Sequence, residues 1–387
     1  MEATGLKRTF GEALLAAVLV ACSACATLPT RFYTEPQQAI AQIDDIPDAR
    51  FWADDPAAMA QSRATPAGDG PIAMLALSGG GDGGAYGAGF LNGWSRSGNR
   101  PEFAIVTGIS TGALIAPFAF LGSRYDDRLT AAFTSVGPHD IYNARFPLVI
   151  PFSLSAAGTK PLAKLVNLYF SEAIIDAVAS EHRRGRRLFV GTANLDAQRG
   201  VVWNMGAIAA SASPDRYRLF RRVILASCAI PAVFPPVLID TRSGSQRLRE
   251  VHVDGSTTGA LLAIPPAASP TSLGGTSGRP TDLYLVVDSQ LGGDFQLAKG
   301  GILAIAQRAL SLATSSATRE QVVTAFLWSR RNGAAFHLSY IDADFDFGAP
   351  HANFGTSYMR RLYAYGAARG MAGAWLATPP AGDPTKP

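Results

Sequence analysis

A serine between two glycines is the first feature of the sequence that could do chemistry. The segment Gly108-Ile109-Ser110-Thr111-Gly112 follows an apolar run with β-branched residues, and small apolar residues that permit a helix come after it. A strand, a sharp turn and a helix in this order hold a serine on a strained bend with its hydroxyl exposed. Gly108 and Gly112 lie where a side chain would crowd the neighbouring strand and helix. The pattern predicts Ser110 as a nucleophile, although the motif alone also occurs in ordinary loops.

A serine nucleophile needs a base for its proton and donors for the charge that forms on the substrate oxygen. The candidate base is Asp254, which ends a predicted strand and precedes Gly255, where the chain can turn sharply. The candidate donors lie in a glycine loop, residues 79–84, because backbone amides without side chains can approach a reacting oxygen closely. The amide of Thr111, at the start of the helix after the serine, is a further candidate donor.

The apolar pattern predicts the elements that must position these residues. Ile72 to Leu77 is a short continuous apolar run, typical of a strand buried on both faces of a parallel sheet. The glycine loop ends this strand, and a helical pattern (85–96) and a second strand (103–107) follow. Strand, loop, helix, strand, turn and helix in this order predict an α/β fold with parallel strands and crossover helices.

Further elements are predicted along the rest of the chain. Helices are predicted at 128–135, 162–169, 171–180, 301–316, 319–330 and 355–376, and strands at 187–195, 200–204, 249–254, 282–288 and 335–341. Residues 216–229 are predicted to be either a helix or a half-buried connection. The apolar, Pro-broken segment 146–152 is predicted to be either a mobile cover over a cleft or a loop packed on the core. Residues 265–281, of low complexity, are predicted to be a surface excursion.

Three motifs in chain order resemble the signatures of the patatin-like phospholipases. They are the glycine loop at 79–84, the Gly-x-Ser-x-Gly at 108–112, and Asp254-Gly255. Two further segments agree: 226–237 resembles the Ala-Ser-x-Ala-x-Pro…Phe-x-Pro block of the family, and 192–206 resembles its mid-chain hairpin. The resemblance covers about residues 71–345, and five ordered blocks together are far more specific than any one of them.

The resemblance implies a three-layer α/β/α fold, a modified α/β-hydrolase type, with a mostly parallel central sheet. It also implies hydrolysis of ester bonds in acyl lipids or phospholipids, through an acyl-enzyme and a Ser–Asp dyad without histidine. By matching positions Ser110 would be the nucleophile and Asp254 the base. The implied oxyanion donors are Gly79, Gly80 and Gly81, above all the last two, with Thr111; the remaining motif positions are Gly84, Gly108, Gly112 and Gly255.

Two positions depart from the family pattern. Gly83 stands where the family often has Arg or Lys, so a role for that charge is missing or supplied elsewhere. Ser256 follows Asp254-Gly255 where the family usually has Gly or Ala, and its hydroxyl could hydrogen-bond the aspartate. The family reading needs no cofactor, and no cluster of His, Cys and carboxylate residues has metal-ligand spacing.

Other functions remain open on the same residues. A Ser–Asp–His triad could use His337, since Ser110, Asp254 and His337 follow the chain order of α/β-hydrolases, and His252 shares a predicted strand face with Asp254. An acyltransferase would use the same acyl-enzyme, and a lipid-anchored binding protein would keep the fold without turnover. The loop also fits a dinucleotide fingerprint, but the acidic residue expected about 20 positions later, at the end of the next strand, is missing.

The first 21 residues are predicted to be a bacterial lipoprotein signal peptide. Lys7 and Arg8 form a positive region, and residues 13–21 form an apolar run too short to span a bilayer. The run ends in Leu-Val-Ala-Cys, so cleavage before Cys22 and lipidation of Cys22 are expected; an ordinary secretory peptide is the alternative. Ser23 after the cysteine favours the bacterial cell envelope at the outer membrane, facing the periplasm, by resemblance to enterobacterial lipoproteins.

The domain organisation follows from composition. We predict a tether at 22–70 that partly docks through Phe51 and Trp52, a catalytic domain at 71–376 and a disordered tail at 377–387. An apolar content of 48% is ample for a core, and a net charge of +4 without basic stripes interleaved with aromatic residues excludes a typical nucleic-acid-binding protein. With Cys22 lipidated, Cys25 and Cys228 remain, and their placement argues against a bridge. The expected partners are an acyl lipid and the membrane, and the oligomeric state is left open.

Overall fold

The run predicted as a doubly buried strand, Ile72–Leu77, lies in the middle of a large sheet, and all six of its residues are buried. A computed structural model of the protein describes residues 28–62, 64–65, 70–144, 155, 157–261, 279–292, 297, 300–345 and 354–380. Within these ranges nine strands join one sheet, and two short strands pair separately.

The strands and helices are as follows. The strands are β1 (Arg50–Trp52), β2 (Ile72–Leu77), β3 (Ile105–Ile109), β4 (Asn143–Ala144), β5 (Ala157–Gly158), β6 (Arg187–Asn194), β7 (Arg199–Asn204), β8 (Val237–Ser243), β9 (Gln246–Asp254), β10 (Thr281–Val287) and β11 (Ala335–Tyr340). The α-helices are α1 (Glu35–Ala39), α2 (Pro56–Gln61), α3 (Gly84–Arg96), α4 (Thr111–Leu121), α5 (Asp126–Thr134), α6 (Pro138–Ile141), α7 (Lys160–Tyr169), α8 (Glu172–Arg183), α9 (Met205–Ala210), α10 (Arg216–Ser227), α11 (Ile302–Asn332) and α12 (Thr356–Met371).

The centre of the sheet is parallel. Its order is β1-β7-β6-β3-β2-β10-β11, and the five strands from β6 to β11 run parallel to one another. On the other side β7 and β1 continue the sheet antiparallel, and the antiparallel hairpin β8–β9 pairs with the end of β6. Because the carboxyl ends of parallel strands meet at one edge, the residues that follow β2, β3 and β10 lie together there, and this edge is called the site edge below.

Helices cover both faces of the sheet. Alternate residues of β2 belong to two different core clusters: Ala73, Leu75 and Leu77 pack on the side of α3, α4 and α12, and Ile72, Met74 and Ala76 pack on the side of α11. The period of two along a strand produces this division. The predicted three-layer α/β/α fold with a mostly parallel central sheet is therefore confirmed.

Several elements differ from the sequence-based expectation. The two helices predicted at 301–316 and 319–330 form one helix of 31 residues, since no Gly or Pro separates them. The strand predicted at 249–254 begins at Gln246 and pairs with β8, which the sequence analysis did not predict. Polar residues point to solvent on alternate positions of β8, so it lacks the continuous apolar run of a central strand.

The folded part of the chain also begins before Pro71, where the sequence analysis places its start. Residues 50–52 of the predicted tether form the edge strand β1, and Phe51 contacts Phe189 edge to face at 5.8 Å between ring centroids. The predicted signal peptide with Cys22, the segment 146–152 and most of the 265–281 excursion lie outside the described residues. No helix of the described ranges is long and apolar enough to cross a membrane.

Candidate active site

Ser110 occupies the sharp turn between β3 and α4. Its backbone has φ 54° and ψ −121°, a conformation that an L-residue adopts only under constraint. The flanking glycines permit the turn: a Cβ on Gly108 would lie 2.3 Å from the carbonyl oxygen of Gly112, and one on Gly112 would lie 2.5 Å from that of Leu77. The strand–turn–helix geometry expected around this serine is present, and it places Ser110 at the site edge.

Side chains from the neighbouring block 226–237 hold this turn in place. The amide of Ser110 donates to Ser227 Oγ at 2.9 Å, and that hydroxyl donates to the carbonyl oxygen of Gly191 at 2.7 Å. The free thiol of Cys228 lies 3.3 Å from the carbonyl oxygen of Ser110. From the sequence this block is notable only for its resemblance to a family motif, and no role for Ser227 is predicted. Its one signal was the Ala-Ser-x-Ala-x-Pro spacing.

Asp254 lies at the end of β9, where the register pairs it with Thr192 of β6. It is 2% exposed, and its Oδ1 accepts the amide of Ser256 at 2.8 Å, whereas Oδ2 has no hydrogen-bond partner among the described residues. Burial raises the pKa of Asp254 to about 6, and the Ser110 hydroxyl is the strongest of the neighbouring groups that oppose this rise. The structure therefore brings together the two side chains that lie 144 positions apart in the sequence.

Ser256 and Gly255 complete the turn after this aspartate. A Cβ on Gly255 would lie 2.6 Å from the carbonyl oxygen of Gly191, so the chain passes β6 too closely for a side chain. The amide of Ser256 donates to Asp254, and the Ser256 hydroxyl, expected from the sequence to interact with this carboxyl group, also acts to lower its pKa. That hydroxyl also lies next to the glycine loop, 2.5 Å from where a Cβ of Gly79 would be.

The glycine loop lies beside Ser110 and differs from the expectation at one position. A Cβ on Gly79 would lie 3.2 Å from Ser110 Cβ, but the amide of Gly79 donates to the carbonyl oxygen of Ala260 at 2.8 Å. Gly79 was predicted as an oxyanion donor, and this is wrong because its N–H is already used. The amides of Gly80 and Gly81 donate no hydrogen bond to the described residues, so they remain the loop's candidate donors.

The amide of Thr111 is the third candidate donor. Thr111 is the first residue of α4, so its N–H has no partner within the helix. Gly81 and Thr111 line the same cavity as Ser110. A Cβ on Gly84 would lie 2.0 Å from Thr111 Oγ1, which explains the glycine at this motif position.

A buried aspartate lies against the glycine loop and the start of α3. Asp288, directly after β10, accepts the amide of Gly87 on Oδ1 at 3.0 Å, and its Oδ2 has no hydrogen-bond partner in the described part of the chain. Burial raises the pKa of Asp288 well above its usual range. Cβ atoms on Gly80 and Gly83 would lie 2.1 and 2.0 Å from its carbonyl oxygen, so Gly83 has no room for the basic residue common in the family. From the sequence Asp288 is predicted only as the last residue of a strand.

An apolar cavity opens beside the serine. On α4 it is lined by Thr111, Leu114 and Phe118, which share one face of the helix, so it extends about 12 Å along the helix from Ser110. The rings of Phe118 and Phe170 stack at 5.4 Å and close this direction. The other lining residues among those described are mostly apolar: Gly81, Ala132, Phe133, Val136, Ile141, Leu162, Leu165, Val166, Tyr169, Cys228, Ile230, Phe234, Phe354 and Met359.

The two histidines considered for a triad lie elsewhere. His337 shares a register row with Val106, four residues before Ser110 and about 13 Å along the strand. Its Nε2 lies 3.0 Å from Asp282, and its ring stacks on Tyr284 at 4.4 Å. The fully buried His252 has other partners: Nδ1 lies 3.0 Å from Thr192 Oγ1, and Nε2 lies 3.2 Å from Glu250. Neither histidine is placed to act with Ser110.

The chain is similar to one family of known proteins and to solved structures. The sequence profile of the patatin-like phospholipases matches residues 75–285, more than half of the chain. No curated protein matches the sequence significantly. Among solved structures the chain is similar to VipD from Legionella pneumophila (11% identity, TM-score 0.32, 80% of this chain and 68% of that one). It is also similar to the type III effector protein ExoU (13% identity, TM-score 0.32, 80% of this chain and 53% of that one).

Proposed function

This chain belongs to the patatin-like phospholipase family, a family of lipid hydrolases, and from that premise we propose that it cleaves carboxylic esters of acyl lipids through Ser110 and Asp254. The observation that carries the proposal is the position of the two side chains: a buried carboxyl group next to a serine held on a strained turn. A serine hydroxyl needs such a neighbouring base to become a nucleophile at neutral pH.

The geometry supports a two-step reaction. In the first step Asp254 takes the hydroxyl proton while Ser110 Oγ attacks the ester carbonyl, and the amides of Gly80, Gly81 and Thr111 stabilise the oxyanion. The tetrahedral intermediate collapses to an acyl-enzyme, and the leaving alcohol takes the proton back from Asp254. In the second step water is the nucleophile: Asp254 takes a proton from it while it attacks the acyl carbonyl. The intermediate then releases the fatty acid, and Ser110 Oγ takes the proton back from Asp254. A carboxyl pKa of about 6 suits this role, because the group is ionised at pH 7 yet more basic than an ordinary aspartate.

The cavity beside Ser110 supports an acyl chain as the group transferred. Its walls are almost wholly apolar, and it begins at the nucleophile and follows α4 towards Phe118. A hydrocarbon chain bound there leaves its carbonyl carbon at Ser110 and its alcohol portion towards solvent. The free energy of binding then comes mainly from burial of CH₂ groups, about 0.8 kcal/mol for each.

The test combines active-site labelling with ester hydrolysis. A fluorophosphonate should label the wild type but not Ser110→Ala, and both Ser110→Ala and Asp254→Ala should lose about a thousandfold or more in kcat for a short-chain ester. His337→Ala is the control, and its activity should stay within a few-fold of the wild type. A folded but inactive His337→Ala would establish a triad instead, and an active Ser110→Ala would reject the proposal.

A further inference from the structure

The long helix α11 carries an exposed apolar face. With 31 residues it extends about 46 Å. Ile305, Leu312, Val323 and Leu327 expose 57%, 66%, 45% and 60% of their surface. At 3.6 residues per turn these four positions fall on one side of the helix, in two pairs with Leu312 and Val323 11 positions apart, and together they are called the apolar stripe below.

The apolar stripe is not part of the core. The buried residues of α11 lie on the opposite side of the helix and begin only at Thr318; they include Val322, Ala325 and Trp328, which pack in the cluster against β2 and β10. At positions 304–306 and 308–317, where the side chains are described, none is buried. Four large apolar side chains exposed on one side of a single helix indicate an interaction site.

The first part of α11 extends beyond the site edge. Gln321 Oε1 accepts the amide of Leu261 at 2.9 Å, and the neighbouring Ala260 receives the amide of Gly79, so the helix passes the glycine loop at Gln321. From Gln321 the helix continues towards the start of β11. This strand begins at the edge of the sheet opposite the site edge, because Ala335 pairs with Asp282 near the start of β10. Residues 302–320, about 28 Å of helix, therefore extend past the edge that holds Ser110.

The charges along α11 indicate what the stripe binds. Arg308, Arg319 and Arg330 follow one another at intervals of 11 residues, about three turns, and so form a row beside the stripe. Arg331 adds a fourth positive charge, and Glu320 is the only acidic residue of the helix. Apolar side chains edged by arginines fit an anionic lipid surface, because the arginines can lie at the level of the phosphates while the stripe enters the acyl region.

We propose that this face of α11 docks the enzyme on an anionic phospholipid bilayer and so holds the site edge near its lipid substrate. The inference rests on the proposed function, because a hydrolase of acyl lipids must meet its substrate at a lipid surface. The occupant is the bilayer rather than a second copy of the chain, since two arginine rows facing one another would repel.

The test measures binding of the full chain to vesicles, in a Cys22→Ser background that cannot carry a lipid anchor. Vesicles of phosphatidylcholine alone and with phosphatidylglycerol are sedimented with the wild type, with Ile305→Ser/Leu312→Ser and with Met371→Ser. Met371 is a matched control: it is 46% exposed and is the last residue of α12, 17 residues after Phe354, whose amide donates to Asp82 in the glycine loop. We expect the wild type and the control to bind anionic vesicles, more weakly at high salt, and the double variant to bind at least about tenfold more weakly.

A soluble short-chain ester separates docking from catalysis. The double variant should hydrolyse it at the wild-type rate, whereas its hydrolysis of vesicle phospholipid should fall with vesicle binding. Equal vesicle binding by the double variant and the wild type would overturn the proposal, as would a wild-type dimer that the double variant cannot form. If no variant hydrolyses any ester but only the double variant loses binding, the docking face stands and the hydrolase function fails.

Discussion

The pKa of Asp254 connects the burial of the site to its activity. Burial raises this pKa from 3.8 to about 6, so the native state binds the proton more tightly than the unfolded chain does. Ionisation of Asp254 therefore costs stability as the pH rises from about 4 to above 6. This loss of stability fits the proposed role of Asp254, because a more basic carboxylate takes the proton of the Ser110 hydroxyl more readily.

This shift predicts the pH dependence of hydrolysis. Protonated Asp254 cannot take a proton from Ser110, so kcat/KM for a soluble ester should be low at pH 5, rise with a midpoint near pH 6 and level off above pH 7. Initial rates between pH 4.5 and 8.5 measure the profile. The residual kcat/KM of Asp254→Asn should not show this rise around pH 6. A profile that is flat from pH 5 to 7 would remove Asp254 from the role of base.

At the residue scale the sequence predicts the site residues that belong to a local motif. It does not predict residues whose contribution depends on contacts with distant parts of the chain. Ser110 and Asp254 were found because glycines mark the sharp turns that carry them. Ser227 and Asp288 contribute through contacts with residues 117 and 201 positions away, and nothing in their local sequence indicates those partners. The same reason explains the error at Gly79, whose amide bonds to Ala260 in a distant segment.

At the element scale the glycine loop depends on its close approach to the turn after β10. We predict that Gly80→Ala will lower kcat by about a hundredfold or more, because its Cβ would lie 2.1 Å from the carbonyl oxygen of Asp288 and the loop amides would have to move. KM should change little, since the apolar cavity is untouched. Kinetics on a soluble ester separate the two constants.

The matched control is Gly70→Ala, where a Cβ would meet nothing within 4 Å and φ is in the ordinary range. It should keep the wild-type kcat and thermal midpoint. If Gly80→Ala folds with an unchanged kcat, the loop amides do not stabilise the reacting oxygen.

Secondary-structure prediction succeeded for elements with a strong local signal. The parallel strands β2, β3 and β10 were predicted because continuous apolar runs are long enough to be recognised. The hairpin strand β8 was missed because only one of its faces is buried and its polar residues obscure the pattern. The break predicted between 316 and 319 falls in the Ser-Ser-Ala-Thr stretch of α11, whose weak helix propensity the surrounding helix overrides.

At the scale of the whole molecule the N-terminal segment and β9, the strand that ends at Asp254, share one buried network. Arg50 of β1 donates to both carboxylate oxygens of Glu250, at 2.6 and 3.0 Å, and neither side chain is exposed by more than 4%. Asn194 and Thr241 also donate to Glu250. Glu250 lies four residues before Asp254 on β9, so residues predicted to be a tether help to hold the strand that delivers the candidate base.

Removal of the arginine should therefore destabilise the whole fold. We predict that Arg50→Met lowers the free energy of unfolding by about 3–5 kcal/mol, because it leaves the Glu250 carboxylate buried without a positive partner. Arg249→Met is the control: its partner Asp240 is on the surface, both side chains are about half exposed, and the cost should be below about 1 kcal/mol. Urea unfolding at pH 8 measures both.

The pH dependence of this loss identifies its cause. The native contacts, first the hydrogen bond to His252 and then the charge of Arg50, lower the pKa of Glu250 against the effect of burial, so its stabilising contribution is present above pH 4.5 and is lost as the pH falls further. Without Arg50 the pKa of Glu250 should rise, and protonation should then relieve the unpaired charge. The difference in unfolding free energy between wild type and Arg50→Met should consequently shrink between pH 8 and pH 5. A difference that is constant over this range would mean that Arg50 stabilises the edge strand by packing against Trp52 and Trp203, and not through the charge of Glu250.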